Sequence, residues 1–334
     1  MEKNVKNAFS TAILQQALSA FNLNPYHISE LDGFENFLFE SEINGLPAIL
    51  RLSHSSKKTR QMVESELSYV NYLAKHGAHV ATPFKSKQQQ LTELIPLNDG
   101  TYFTAVCFQK VIGIHPRGQD FDDHLIHVWG ASLGKMHRLS VSYQPDREDL
   151  QRIHWDEEVE VTHPERFLPP DQFTIIKQLE ILKMRIRELP VVKSQYGIIH
   201  NDLHPYNFLY DGEKITMIDF EDCVQMWFVS DLAISLFLMT VWPPDGYSQE
   251  EFALKIFPSF LAGYKTEKDL PNEWLETIPT FLKFREIGQY IAMYRGADLD
   301  NPEPWVARFM EGRRERIENN IPYLNLDNWS RFAS

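Results

Sequence analysis

Cysteine is scarce: only Cys107 and Cys223 occur among 334 residues, each set in an apolar stretch. They read as small buried hydrophobes and not as a disulfide framework, which suits a reducing, cytoplasmic setting. Basic side chains are a minority, 33 Lys and Arg against 46 Asp and Glu, for a formal charge of −13. Such a surface repels phosphate backbones and anionic headgroups, so neither nucleic acid nor a membrane surface is an expected partner. Long hydrophobic runs are missing as well. The best, Leu232 to Trp242, is interrupted by Ser235 and Thr240 and is too short to span a bilayer, and the opening MEKNVKNAFSTAI lacks an apolar signal-peptide core. There is no internal repeat and no low-complexity tract.

What is present is an ordinary globular composition, 43% hydrophobic and 24% charged, in a chain long enough for two packed lobes. Ala12, Ile13, Leu14, Ala17, Leu18 and Phe21 recur at helical spacing behind the possible cap Ser10. The period then changes to that of strands: Phe37 to Ile43 and Leu46 to Ser53 flank Asn44-Gly45, the signature of a tight hairpin. A helix over Thr59 to His76 and strands over Gln90 to Leu94 and Thr101 to Val111 complete a small β-rich lobe. From Asp122 onward the pattern is helical, with helices predicted at Phe173 to Leu189, Leu232 to Val241, Phe252 to Tyr264, 279–295 and 303–319. The expected organisation is a lobe over 1–109 and a larger one over 110–334, divided where Gly113, Pro116 and Gly118 punctuate the chain.

The most informative segment is IIHNDLHPYNFLYDGEKITMIDF, residues 198–220. Phe208 to Tyr210 and Ile215 to Ile218 flank Asp211-Gly212, a two-residue turn signal that would set Tyr210 opposite Glu213 and Asp219 opposite His204. Asp202, Asn207 and Asp219 would then converge as oxygen donors of the kind Mg²⁺ takes.

The spacing His200-x-Asp202-Leu203-x-x-x-Asn207, followed by Asp219-Phe220, resembles a kinase catalytic loop and metal-binding aspartate. Asn201 stands where protein kinases carry arginine and Glu221 where they carry glycine, which points to the small-molecule kinases of the same fold. The chain thus resembles the aminoglycoside phosphotransferase superfamily, with its choline and homoserine kinases. That resemblance implies an α+β, bilobal protein-kinase-like fold and transfer of the γ-phosphate of Mg·ATP to a small-molecule hydroxyl. It implies Asp202 as catalytic base, His200 as support of the loop, Asn207 and Asp219 as Mg²⁺ ligands, and Asp231 as a brace beneath the loop. In the first lobe it implies Gly33 and Asn36 in the loop over the phosphates and Arg51 in the place of the usual phosphate-holding lysine. The resemblance also implies Gln109 to Val111 as candidates for the adenine-binding hinge and sets His137 in a helix common to these kinases, where a packing role is expected. Met62, Glu66, Tyr69 and Leu73 share one helix face, so Glu66, and not Glu64, points inward toward Arg51.

Two other readings stay open on the sequence. His200, Asp202 and His204 alternate, so on a strand they would share a face and could hold a metal in a hydrolase. A nucleotide-binding regulatory protein without turnover is the second, motivated by Arg51, because an arginine fork is no conservative replacement for an ammonium. For the acceptor, the sequence offers Asp222, Trp227, Arg285, Tyr290 and Tyr294 as residues of suitable chemistry, while His204 reads as a structural hydrogen-bonding residue of the loop ahead of a substrate contact. The acidic balance and aromatic content favour an amine or aminoglycoside, with a sugar, an amino acid or a protein hydroxyl left open. Oligomeric state is not legible.

Overall fold

A computed structural model of the chain describes residues 3–33 and 35–333, which fall into two compact units. The first takes in the residues up to Ile114 together with Tyr143–Arg152 and Thr216–Glu221; the second takes in His115–Ser142, Ile153–Ile215 and the residues from Asp222 on.

In the first unit, helices α1 (Lys3–Ala8) and α2 (Thr11–Phe21) precede strands β1 (Ser29–Leu31), β2 (Phe37–Ile43) and β3 (Leu46–His54). Asn44 and Gly45 both take the left-handed conformation, at φ 51° and 77°, that a tight hairpin turn demands. Helix α3 (Arg60–Lys75) follows, with the Thr59 hydroxyl accepting from the Met62 N–H as its cap, and then β4 (Pro83–Phe84), β5 (Glu93–Pro96) and β6 (Tyr102–Gln109). The strands form one antiparallel sheet ordered β1-β2-β3-β6-β4, with β5 on β6.

The alternation of β3 decides what each face carries. Ala48, Leu50 and Leu52 are buried against Leu18 and Phe21 of α2 and Phe103, Ala105 and Cys107 of β6. Arg51, one residue out of phase, therefore belongs to the opposite face, where Val106 packs with Val63 and Leu67 of α3. Two boundaries differ from the sequence reading. The strand expected at Gln90 to Leu94 starts at Glu93, because Ser86 to Gln90 closes a turn in which the Ser86 hydroxyl accepts from the N–H groups of Gln88 and Gln90. The strand expected to reach Val111 ends at Gln109.

The second unit is built from α4 (Asp123–Ser140), α5 (Val159–Thr162), α6 (Phe173–Arg187), β7 (Tyr196–Ile199), β8 (Phe208–Tyr210), β9 (Ile215–Met217), β10 (Val224–Trp227), α7 (Phe228–Thr240), α8 (Gln249–Lys265), α9 (Asn272–Leu275), α10 (Ile278–Gly296), α11 (Pro304–Met310) and α12 (Arg313–Glu318). Strand β9 begins in this unit and ends in the first. Helix α7 is buried at 12 of its 13 residues, as expected of a helix that is apolar nearly all round. The single helix expected over 303–319 is two, broken where Gly312 enters the left-handed region at φ 63°.

Helices α4 and α8 approach backbone to backbone through small residues. A Cβ on Gly130 would lie 1.9 Å from the Phe260 carbonyl oxygen, and one on Gly263 would lie 2.0 Å from that of His127. Neither obstacle is a flexible side chain, so the helices themselves must part. Gly263→Ala is therefore expected to destabilise the fold by about 1–3 kcal/mol despite alanine's better helix propensity, a loss that thermal or urea unfolding measures.

Candidate active site

On the α3 side of the first unit's sheet, the Arg51 guanidinium makes a two-pronged bond to Glu66, Nη1 to Oε1 at 2.9 Å and Nη2 to Oε2 at 2.6 Å. Both side chains are almost wholly buried, and Glu64 instead pairs with Arg60 on the outer face. Burial alone acts to lower the arginine's pKa, but the Glu66, Glu221 and Asp219 carboxylates outweigh it and raise it, so the cation is permanent. Asp219 brings Oδ1 to 4.0 Å from Nη1 and stands in the left-handed region at φ 61°.

Beside this pair, Asn36 Nδ2 donates to Glu221 Oε2 at 2.9 Å, and Asn36 Oδ1 accepts from the Ser53 hydroxyl at 2.7 Å. The Glu221 carbonyl is bound by Arg152 Nη2 at 2.7 Å, while Nη1 of the same arginine holds the Met62 carbonyl at 3.1 Å. Arg152 thereby ties the Asp219–Glu221 segment to the start of α3. A Cβ at Gly33 would come within 2.2 Å of the Asn36 carbonyl oxygen, so the turn that delivers Asn36 requires glycine there. Gln109 sits three residues past Val106, the partner of Arg51 across β3 and β6, and its N–H bonds the Thr82 carbonyl at 2.9 Å. Val111 follows outside the strand, half-buried.

In the second unit, Asp202 is held by three side chains. Arg285 Nη2 donates to Oδ1 at 2.6 Å, Asn207 Nδ2 to Oδ2 at 3.2 Å, and His204 Nε2 lies 3.3 Å from Oδ2. The tautomer of His204 follows from its surroundings: Nδ1 accepts from the Tyr206 N–H, so Nε2 carries the proton and donates to the carboxylate. Burial would raise the Asp202 pKa, but Arg285, His204 and His200 hold it well below the usual carboxylate range. Asn207 also donates Nδ2 to the Asp202 carbonyl at 2.9 Å, an orientation that leaves its amide oxygen for a cation.

The loop rests on Asp231, in the first turn of α7. Its Oδ2 accepts from the His200 N–H at 2.7 Å and its Oδ1 from the Asn201 N–H at 2.8 Å, with His137 Nε2 at 3.0 Å from Oδ2. His137 is completely buried, which keeps its pKa below the ordinary value in spite of Asp231, and the Tyr264 hydroxyl meets its Nδ1 at 3.0 Å. It is a neutral packing residue. His115, which no pattern in the sequence singled out, directs Nδ1 at the carbonyls of Pro205 and Phe208, at 3.2 and 3.0 Å.

Three expectations are corrected here. The turn at Asp211-Gly212 has four residues, since the Asp211 N–H bonds the Lys214 carbonyl and the Asp211 side chain accepts from the N–H groups of Glu213 and Lys214. Tyr210 is not opposite Glu213, and the register that set Asp219 opposite His204 fails with it. His200, Asp202 and His204 do not share a strand face, because β7 ends at Ile199 and Asn201 turns the chain at φ 69°. Among the described residues, no group of three or more His, Cys, Asp or Glu is placed to hold a metal ion. Of the acceptor candidates, Trp227 and Tyr290 are core side chains, Trp227 donating Nε1–H to the Pro190 carbonyl and Tyr290 its hydroxyl to Gln172.

A β-rich unit with a buried Arg–Glu pair, and a helical unit with a braced aspartate loop, define a phosphotransferase of protein-kinase-like architecture. The chain matches the phosphotransferase enzyme family, APH, over residues 28–265, and it belongs to that family. It is similar to the amicoumacin kinase of Bacillus subtilis (strain 168), 29% identical over 329 residues that make up 98% of each chain. Among solved structures, an amicoumacin kinase in complex with AMP-PNP, Ca2+ and Ami superposes with a TM-score of 0.93 at 28% identity, over 100% of both chains. A microcompartment-associated aminopropanol kinase gives 0.73 at 19% identity, over 93% of this chain and 98% of its own, a likeness of fold. The chain is thus an ATP-dependent kinase that acts on a hydroxyl of a small molecule. No helix among the described residues is long and apolar enough to cross a membrane.

Removing one member of a buried ion pair leaves the other charge uncompensated. Arg51→Ala or Glu66→Ala is each expected to cost about 3–5 kcal/mol of stability. In a double-mutant cycle by urea unfolding, the two changes together should cost less than their sum, with a coupling on the order of 1–3 kcal/mol.

Proposed function

We propose that the chain phosphorylates a hydroxyl of amicoumacin or a close chemical relative, with Asp202 as the base that receives the acceptor's proton. The observation that carries the reaction is the Asp202 carboxylate, ionised and immobilised by Arg285, His204 and Asn207. A carboxylate held in one rotamer beside the incoming hydroxyl orients the nucleophile, and phosphoryl transfer depends on such positioning more than on covalent chemistry. Near-complete coverage of the amicoumacin kinases at 28–29% identity supports the acceptor.

In this reading residues 1–109 form the nucleotide-binding lobe and residues 110–334 the catalytic and acceptor-binding lobe. Arg51, steadied by Glu66, holds the α and β phosphates. Gly33 and Asn36 belong to the loop over the phosphates, and backbone groups of Gln109 to Val111 receive the adenine. His200 supports the catalytic loop, its N–H anchored on Asp231. Asn207 and Asp219 are the oxygen ligands of Mg²⁺, and the amide oxygen of Asn207 is the hard donor that ion prefers. When bound, the ion neutralises charge on the phosphate oxygens. The two buried free thiols fit a cytoplasmic enzyme.

Two measurements test the roles. Titration calorimetry with ATP should show binding that weakens when Mg²⁺ is chelated and again in Asp219→Ala; equal affinity under all three conditions would remove the metal assignment. Asp202→Asn should bind Mg·ATP as the natural protein does but turn over amicoumacin about 10²–10⁴ times more slowly. A phosphorylated product forming at the original rate with Asn at 202 would show that the base lies elsewhere.

A further inference from the structure

Arg285 lies on α10, far along the chain from the catalytic loop, and no motif of the loop calls for it. Its guanidinium bridges two parts of the loop at once: Nη2 donates to Asp202 Oδ1 at 2.6 Å, and Nη1 to the carbonyl of Asn201 at 3.2 Å. The Asn201–Asp202 peptide and the Asp202 side chain are thereby fixed relative to each other by one rigid fork, a geometry that a lysine ammonium cannot reproduce. The helix turn that presents it is itself immobilised. Glu286, the next residue, is fully buried and bound by Lys283 Nζ at 3.0 Å and Arg313 Nη1 at 2.7 Å. The Arg285 Nε is buried with no hydrogen-bond partner among the described residues.

Counting acceptor sites shows what the fork does. An ionised carboxylate offers about four lone-pair directions, two on each oxygen. Oδ2 of Asp202 is occupied by the His204 Nε2–H and by Asn207 Nδ2, and Oδ1 by Arg285. One direction is left, on Oδ1, the oxygen that Arg285 holds.

We propose that Arg285 is a positioning residue for phosphoryl transfer: by fixing Oδ1 it leaves Asp202 a single direction from which to receive the acceptor hydroxyl. The inference rests on Asp202 being the base. Without the fork the carboxylate turns, water reaches the transfer position as readily as the acceptor does, and ATP is spent on hydrolysis. The enzyme's selectivity for alcohol over water is in this sense set by α10.

The test compares the natural protein with Arg285→Gln and Arg285→Lys, using Mg·ATP and amicoumacin, and counts ADP released per phosphorylated acceptor by mass spectrometry, with KM for ATP and thermal melting alongside. Both variants should raise the ADP-to-product ratio, Gln by tenfold or more and Lys by less. The kcat for transfer should fall in the same order while KM for ATP stays within threefold. A residue that only stabilises the fold would lower melting and transfer together without moving the ratio. If Arg285→Gln does not fold, Arg285→Lys, which keeps the charge and loses the fork, decides. An unchanged ratio in a folded variant overturns the proposal. Asp202→Asn is run in the same assay: retained turnover overturns the base and this inference with it, whereas lost turnover beside fully coupled Arg285 variants overturns this inference alone.

Discussion

Asp231 is the interaction on which the second unit's chemistry depends. A carboxylate with no exposure is costly unless every charge-bearing oxygen is hydrogen-bonded, and here both are, by two consecutive backbone N–H groups and one imidazole. Its place in the first turn of α7 adds the favourable field of the helix N-terminus. What those bonds secure is a chain reversal in which Asn201 takes a left-handed conformation, a geometry that asparagine tolerates better than most residues. Asp202 follows immediately. Its direction is inherited from the Asp231 carboxylate beneath the loop, and the all-round burial of α7 makes that support rigid.

The first unit works on a related constraint with the signs exchanged. Arg51 is surrounded by Glu66, Asp219 and Glu221, so a permanent cation sits among carboxylates, and Arg152 draws the last of these inward through its backbone carbonyl. A single cation is thus outnumbered by the carboxylates that hold it, in a protein whose net charge is −13.

Much of this was legible in the sequence, and the parts that were not share a cause. The inward face of α3 could be read from spacing, which selected Glu66 over Glu64, and Asn44-Gly45 fixed its hairpin because both residues favour positive φ. The turn at Asp211 was misread because its side chain caps two N–H groups and lengthens the turn, an interaction that dipeptide statistics do not carry. Arg152, His115 and one prong of the Arg285 fork act on backbone carbonyls, which every residue possesses, so no pattern of side chains announces the partner. The close approach of α4 and α8 escaped for a similar reason. Glycine within a helical stretch looks like weak propensity until the facing backbone is known.

Arginine at position 51 also changes what can be done to this enzyme chemically. A lysine at this place would offer an amine whose small unprotonated fraction reacts with acylating or sulfonylating reagents. Here the group is a guanidinium that the carboxylates around it hold protonated, so this side chain offers no nucleophilic nitrogen. An amine-directed reagent can therefore react at Lys58, whose Nζ donates to the Glu221 carbonyl, but not at Arg51.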